Sequence, residues 1–91
     1  MKLSTIRVNV TARDIRDGAK GRCDTCPVAR AITRRVTRPP YVTTSCVRIG
    51  QMWLALSNKA CTFIEDFDNT CRRDMRPFSF MLKVPARLVK R

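Results

Sequence analysis

The first clear pattern along the chain is an alternation. Ile6, Val8 and Val10 are apolar, and Arg7 and Asn9 between them are polar. A period of two marks a strand with one face buried. Thr11 follows, with Asp14 three residues later. That is the spacing at which a capping side chain and a first-turn carboxylate serve each other's backbone N–H. A short helix therefore opens at Thr11, and Gly18 is placed to end it just beyond its last turn.

The period then lengthens. Val28, Ala29, Ala31, Ile32 and Val36 supply the packing positions of a second helix that begins near Cys26. Pro27 suits its first turn, and Asp24 or Thr25 is the expected cap. Pro39-Pro40 stops it. Residues 41–49 are rich in β-branched side chains and read as one strand. Gly50-Gln51 is a turn, and residues 52–56 form the return strand, with Trp53 on one face and Met52, Leu54 and Leu56 on the other. Ser57 caps a third helix whose apolar stripe is Ala60, Ile64, Phe67 and Cys71, with Phe63 beside it. A basic loop over residues 72–77 leads to a last strand. There Phe78, Phe80, Leu82 and Val84 alternate with Ser79, Met81 and Lys83. Residues 85–91 are expected to be a frayed basic tail. The element order is β-α-α-β-β-α-β. It predicts an α+β fold over residues 1–91: a single two-layer domain, an about four-stranded sheet with helices on one face.

Composition narrows the functional classes. At 91 residues and 44% hydrophobic content, the chain can bury one core. No apolar stretch approaches the ~20 residues of a membrane span, and residues 1–5 lack the apolar run of a leader, so a cytoplasmic protein is expected. Five cysteines in that compartment should be reduced thiols, and their odd number argues against a complete disulfide framework. Histidine is absent. That removes the commonest acid–base residue near neutral pH, along with Cys/His zinc sites and Ser-His-Asp machinery.

Two stretches carry a resemblance. The first is Asp14-Ile15, Gly18 and then Cys23-Asp24-Thr25-Cys26-Pro27-Val28-Ala29-Arg30-Ala31-Ile32, preceded by a strand. The second is Phe63-Ile64, Phe67-Asp68 and, after a gap, Pro77-Phe78-Ser79-Phe80-Met81-Leu82. With the preceding strand they cover about half of the 91 residues. They resemble a family of small hypothetical proteins encoded in bacteriophages and prophages. The resemblance implies a viral origin, a bacterial host cell and a compact α+β fold, and it carries over no catalytic residues. The chain departs from the family's style in the segment Asn69-Thr70-Cys71-Arg72-Arg73-Asp74-Met75-Arg76 and in its basic charge.

Charge points to the partner. Nineteen Lys and Arg, fourteen of them Arg, stand against seven Asp and Glu, for a net charge of +12. Such a domain attracts polyanions, and the arginine fork matches phosphate and carboxylate. Arg30, Arg34 and Arg38 recur every four residues, with Arg35 beside them, and form a ladder if the second helix runs that far. Lys20 and Arg22 lie at its other end. No acidic residue occurs between Ala29 and Glu65. Arg72, Arg73 and Arg76 form a second cluster. Tyr41 and Trp53 could stack on bases, but both are read as part of the fold, Trp53 as core or partial core.

Other constellations have plainer readings. Cys23-x-x-Cys26 has zinc-ligand spacing but lacks a second knuckle. A redox role would need a lowered Cys26 pKa at the helix start, whereas the plain reading packs both cysteines onto the core. Glu65, Asp66 and Asp68 read as a solvated helix face. The reading is therefore a non-enzymatic protein, without cofactor or metal, whose arginine-rich face binds nucleic acid or a phosphorylated nucleotide in counter-defence. Its alternative is a protein–protein inhibitor of a host antiviral effector, anti-CRISPR-like, that docks on an acidic face of a host protein complex. A small zinc or thiol-redox protein is the third class.

Overall fold

The first and last strands of the chain pair with each other. In the computed structural model, which describes residues 2–19, 22–69 and 75–90, β1 (Leu3–Val10) and β5 (Phe78–Pro85) run antiparallel. Their register extends from Leu3 opposite Pro85 to Val10 opposite Phe78. The period-two pattern places Ile6, Val8 and Val10 beside Phe80, Leu82 and Val84, all buried on one face. Helix α1 (Ala12–Asp17) follows β1 directly, and α2 (Pro27–Thr33) packs against α1, β1 and β2 (Pro40–Val42).

A second antiparallel sheet has the strand order β2-β3-β4, where β3 is Cys46–Ile49 and β4 is Met52–Ala55. Gly50, with φ 63°, is the first residue of the two-residue β3–β4 turn, a position that favours glycine. Val42, Val47 and Ile49 face the core. Helix α3 (Asn58–Asn69) closes it with Ala60, Phe63, Ile64 and Phe67. Ser57 caps α3, its hydroxyl accepting from the Ala60 N–H at 3.3 Å. The Phe63 ring lies 4.6 Å, centroid to centroid, from Phe78 on β5 and so joins the helix to the first sheet.

The α+β class holds, and four local expectations change. Residues 41–49 form two strands, not one, so five strands divide into sheets of two and three. The turn is built by Thr43. Its hydroxyl accepts from the N–H of Ser45 and of Cys46, and its own N–H reaches the Cys46 carbonyl at 2.8 Å. A threonine-serine turn is compositionally close to strand, which hid it. The cap of α2 is Cys26 itself, with Sγ accepting from the Ala29 N–H at 3.4 Å, in place of Asp24 or Thr25. Gly18 does end α1, but at φ −72°, so no left-handed turn requires it. The tail is docked rather than frayed through Lys90. Leu88 is buried, Val36 bridges Val89, and the Lys90 N–H donates to the Arg35 carbonyl. Cys71, expected in the α3 stripe, lies outside the described residues.

Gly18 is needed for space. A Cβ there would sit 2.7 Å from the Asp14 carbonyl oxygen and 2.7 Å from atoms of Pro27. Both neighbours are held by helices, so Gly18→Ala is expected to lower stability by about 1–3 kcal/mol, the usual cost of overpacking. Gly50→Ala meets open space, with the Arg38 side chain no nearer than 3.8 Å, and is strained only by its φ. It should cost about 1 kcal/mol. Urea denaturation of the two variants checks the order; equal losses would remove the steric role of Gly18.

Candidate anion and base-stacking site

The expected arginine ladder does not form. Helix α2 stops at Thr33, and Arg34 is its C-cap, so Arg38 lies in the irregular segment beyond it. Arg30 and Arg34 do share a side of α2, but that side meets α1. Arg34 grips Asp14 with both nitrogens, Nη1 to Oδ1 at 2.7 Å and Nη2 to Oδ2 at 2.6 Å. Its Nη2 also donates to the Asn9 carbonyl of β1 at 2.8 Å. The Nε of Arg30 lies 3.6 Å from Asp14 Oδ1, and its Nη2 lies 3.8 Å from Asp17 Oδ2. The acidic partners precede the helix in sequence, and only the packing of α1 on α2 brings them to these arginines.

Asp14 is 1% exposed. Burial pulls its pKa upward, but hydrogen bonds from Arg34 and from the Thr11 N–H more than offset this and hold it below the ordinary 3.8. The same carboxylate completes the capping box of α1: Thr11 N–H donates to Oδ2 at 2.9 Å, and Asp14 N–H donates to the Thr11 hydroxyl at 3.2 Å.

The remaining predicted cations are scattered. Arg22, Arg35, Arg38 and Arg76 are exposed. Arg22 lines a shallow cleft with Cys23, Cys26, Val42 and Asp68. Arg38 lines a different cleft, together with Arg87. Lys20, Arg72 and Arg73 lie outside the described residues. Glu65, Asp66 and Asp68 are exposed on α3. Burial pushes the Cys26 thiol pKa up, the reverse of what a redox nucleophile at that helix start would need.

What the structure does assemble is a row across the second sheet. The register sets Tyr41 opposite Arg48 and Arg48 opposite Trp53. One residue further along each strand the chain faces the core, so all three side chains stand on the outer face. Tyr41 is 43% and Trp53 55% exposed, which corrects the expectation that Trp53 is core or partial core. The Arg48 guanidinium carbon lies 5.2 Å from the Tyr41 ring centroid and 5.7 Å from that of Trp53. Both are cation–π distances. The Cys23 thiol beside Tyr41 pushes the phenol pKa upward. Arg48 has no place in the ladder logic; its signal lay in alternation, since Trp53 is out of phase with Met52 and Leu54.

Asp14 and Arg34 hold the fold. Replacing Arg34 with Gln is expected to lower stability by about 2 kcal/mol, the loss of charge-assisted hydrogen bonds, while Arg38→Gln changes it by less than about 0.5 kcal/mol. The pH dependence has a definite sign. A carboxylate whose folded pKa is depressed stabilises above its unfolded pKa, and the contribution disappears as pH falls through the folded value. Urea midpoints should therefore drop below pH 3.8 in the native protein and drop less in Asp14→Asn. An unchanged acid limb in that variant would remove Asp14 from this role.

Comparison of the chain with protein-family models, with curated proteins and with solved structures gives no match.

Proposed function

We propose that the protein is a non-enzymatic binder of single-stranded nucleic acid, with the Tyr41–Arg48–Trp53 row as its base platform. The row is the observation that carries the reading. Solvent-facing aromatics on a sheet offer a π-face to any unpaired base, and a guanidinium between them supplies positive charge at stacking height. Tyr41 and Trp53 sit on strands two apart, so their backbones are separated by about 10 Å. That gap holds Arg48, whose planar fork can stack or meet a phosphate. The net charge of +12 adds attraction that is independent of sequence. A role in counter-defence is our reading, suggested by the resemblance to small bacteriophage proteins.

A second reading, docking on a host protein, is favoured by a different feature. Trp53 also borders a groove of about 420 Å³ lined by Leu3, Leu54, Leu56, Met81 and Lys83. Leu3 and Met81 are about half exposed there, at 52% and 53%. A protein partner would use this apolar groove and depend little on Tyr41, at the far strand of the sheet.

Fluorescence anisotropy with a labelled single strand separates the two. Tyr41→Ala and Trp53→Ala should each weaken binding by about 1–3 kcal/mol, the usual contribution of one stacked base. Their log-affinity against log-salt slopes should be preserved, because no phosphate contact is lost. No binding of the native protein at low salt, or full affinity in the double variant, would reject the platform.

A further inference from the structure

We propose that the cleft between Arg38 and Arg87, at the tip of the β3–β4 hairpin, is a phosphate-binding site. As a subsite for the backbone of a bound strand it rests on the nucleic-acid reading above; as a site for phosphate it stands on its own geometry. The cleft has a volume of about 360 Å³ and is lined by Arg38, Gly50, Gln51, Met52, Arg87 and Leu88, with Ile49 at its base. It lies one turn of chain beyond the row that carries Arg48 and Trp53.

The backbone pairing brings two arginines to the rim of this cleft. The Thr37 N–H donates to the Leu88 carbonyl at 2.9 Å, and Val36 bridges Val89 in antiparallel fashion. The next residue on one segment and the preceding residue on the other are Arg38 and Arg87. Leu88 is buried and anchors its segment, and the stem of Arg38 lies beside Gly50, where glycine leaves open space. Both arginines are exposed, and neither has an ion pair or side-chain hydrogen bond among the described residues.

The contrast with four other arginines makes the placement informative. Arg30 and Arg34 are taken up by Asp14 and Asp17. Arg48 is held between two rings, and Arg7 donates to the Ser79 hydroxyl. Like charges placed across from one another are mildly destabilising, and an anion between them relieves that repulsion. A tetrahedral phosphate accepts from two arginine forks at once, and an amide side chain such as Gln51 can add a donor. The ligand chemistry is therefore a phosphate mono- or diester, from either a nucleic-acid backbone or a free nucleotide.

The test uses the full chain, labelled with nitrogen-15, and sodium phosphate exchanged for sodium chloride at constant ionic strength. Saturable shifts are expected at the Gly50 and Gln51 amides and at the Arg38 and Arg87 Nε–H signals. Arg13 and Arg76, both exposed, serve as references and should move little. The Arg38→Gln/Arg87→Gln variant should lose the saturable response, and with a labelled single strand its log–log salt slope should fall by about 0.7, one phosphate's share. Saturation by a nucleoside triphosphate together with no slope change on the strand assigns the site to free nucleotide. Non-saturating shifts spread equally over all exposed arginines, or a native response in the double variant, would overturn the site. Failure of the Tyr41 and Trp53 variants to weaken strand binding rejects the platform alone, because the phosphate titration contains no base.

Discussion

The carboxylate of Asp14 is nearly sealed from water, and with Arg34 it ties three elements together. One oxygen accepts from the Thr11 N–H and so starts α1. Both accept from Arg34, which closes α2 onto α1, and the same guanidinium reaches the Asn9 carbonyl at the end of β1. A buried charge survives only when paired and hydrogen-bonded, so this group and its partner fix how α1 and α2 lie on the first sheet. Gly18 allows the closeness of that arrangement, since the chain turns between the Asp14 carbonyl and Pro27 with no room for a side chain. The position of α2 in turn sets β2, against which it packs.

This pairing divides the positive charge. Asp14 and Asp17 answer Arg30 and Arg34, so the helical side of the molecule is closer to neutral than its arginines suggest. Among the arginines without a carboxylate partner are Arg48 on the outer sheet face and Arg38 and Arg87 at the hairpin tip. A row of exposed rings next to unanswered arginines costs stability through self-repulsion and exposed apolar area. Such a surface is expected where a ligand covers it.

Much of the fold was legible because it rests on local rules. Alternation located β1 and β5, the Thr11–Asp14 spacing located α1, and Ser57 located α3. The split between β2 and β3 was not legible, because Thr43, Thr44 and Ser45 look like strand and turn only through hydrogen bonds to Thr43. The site was less legible for a different reason. Arginines at a spacing of four do share a helix face, but the pattern cannot tell whether that face meets water or acidic residues 13 to 20 positions upstream. Trp53 shows the converse. Its alternation with Met52 and Leu54 already set it on the outer face, and the general tendency of tryptophan to be buried pointed the other way.

The pairing of the first strand with the last has a kinetic meaning. Leu3 finds its partner only at Pro85, and Val10 at Phe78. The β2-β3-β4 meander and the α1–α2 pair close through short stretches of chain, so they can form early. The apolar face of β1 stays without its strand partner until residues 78–85 have been made. During synthesis, Ile6, Val8 and Val10 therefore emerge long before the strand that pairs with theirs. For that interval their shelter depends on α2, whose Val28 and Ile32 are fully enclosed in the finished core.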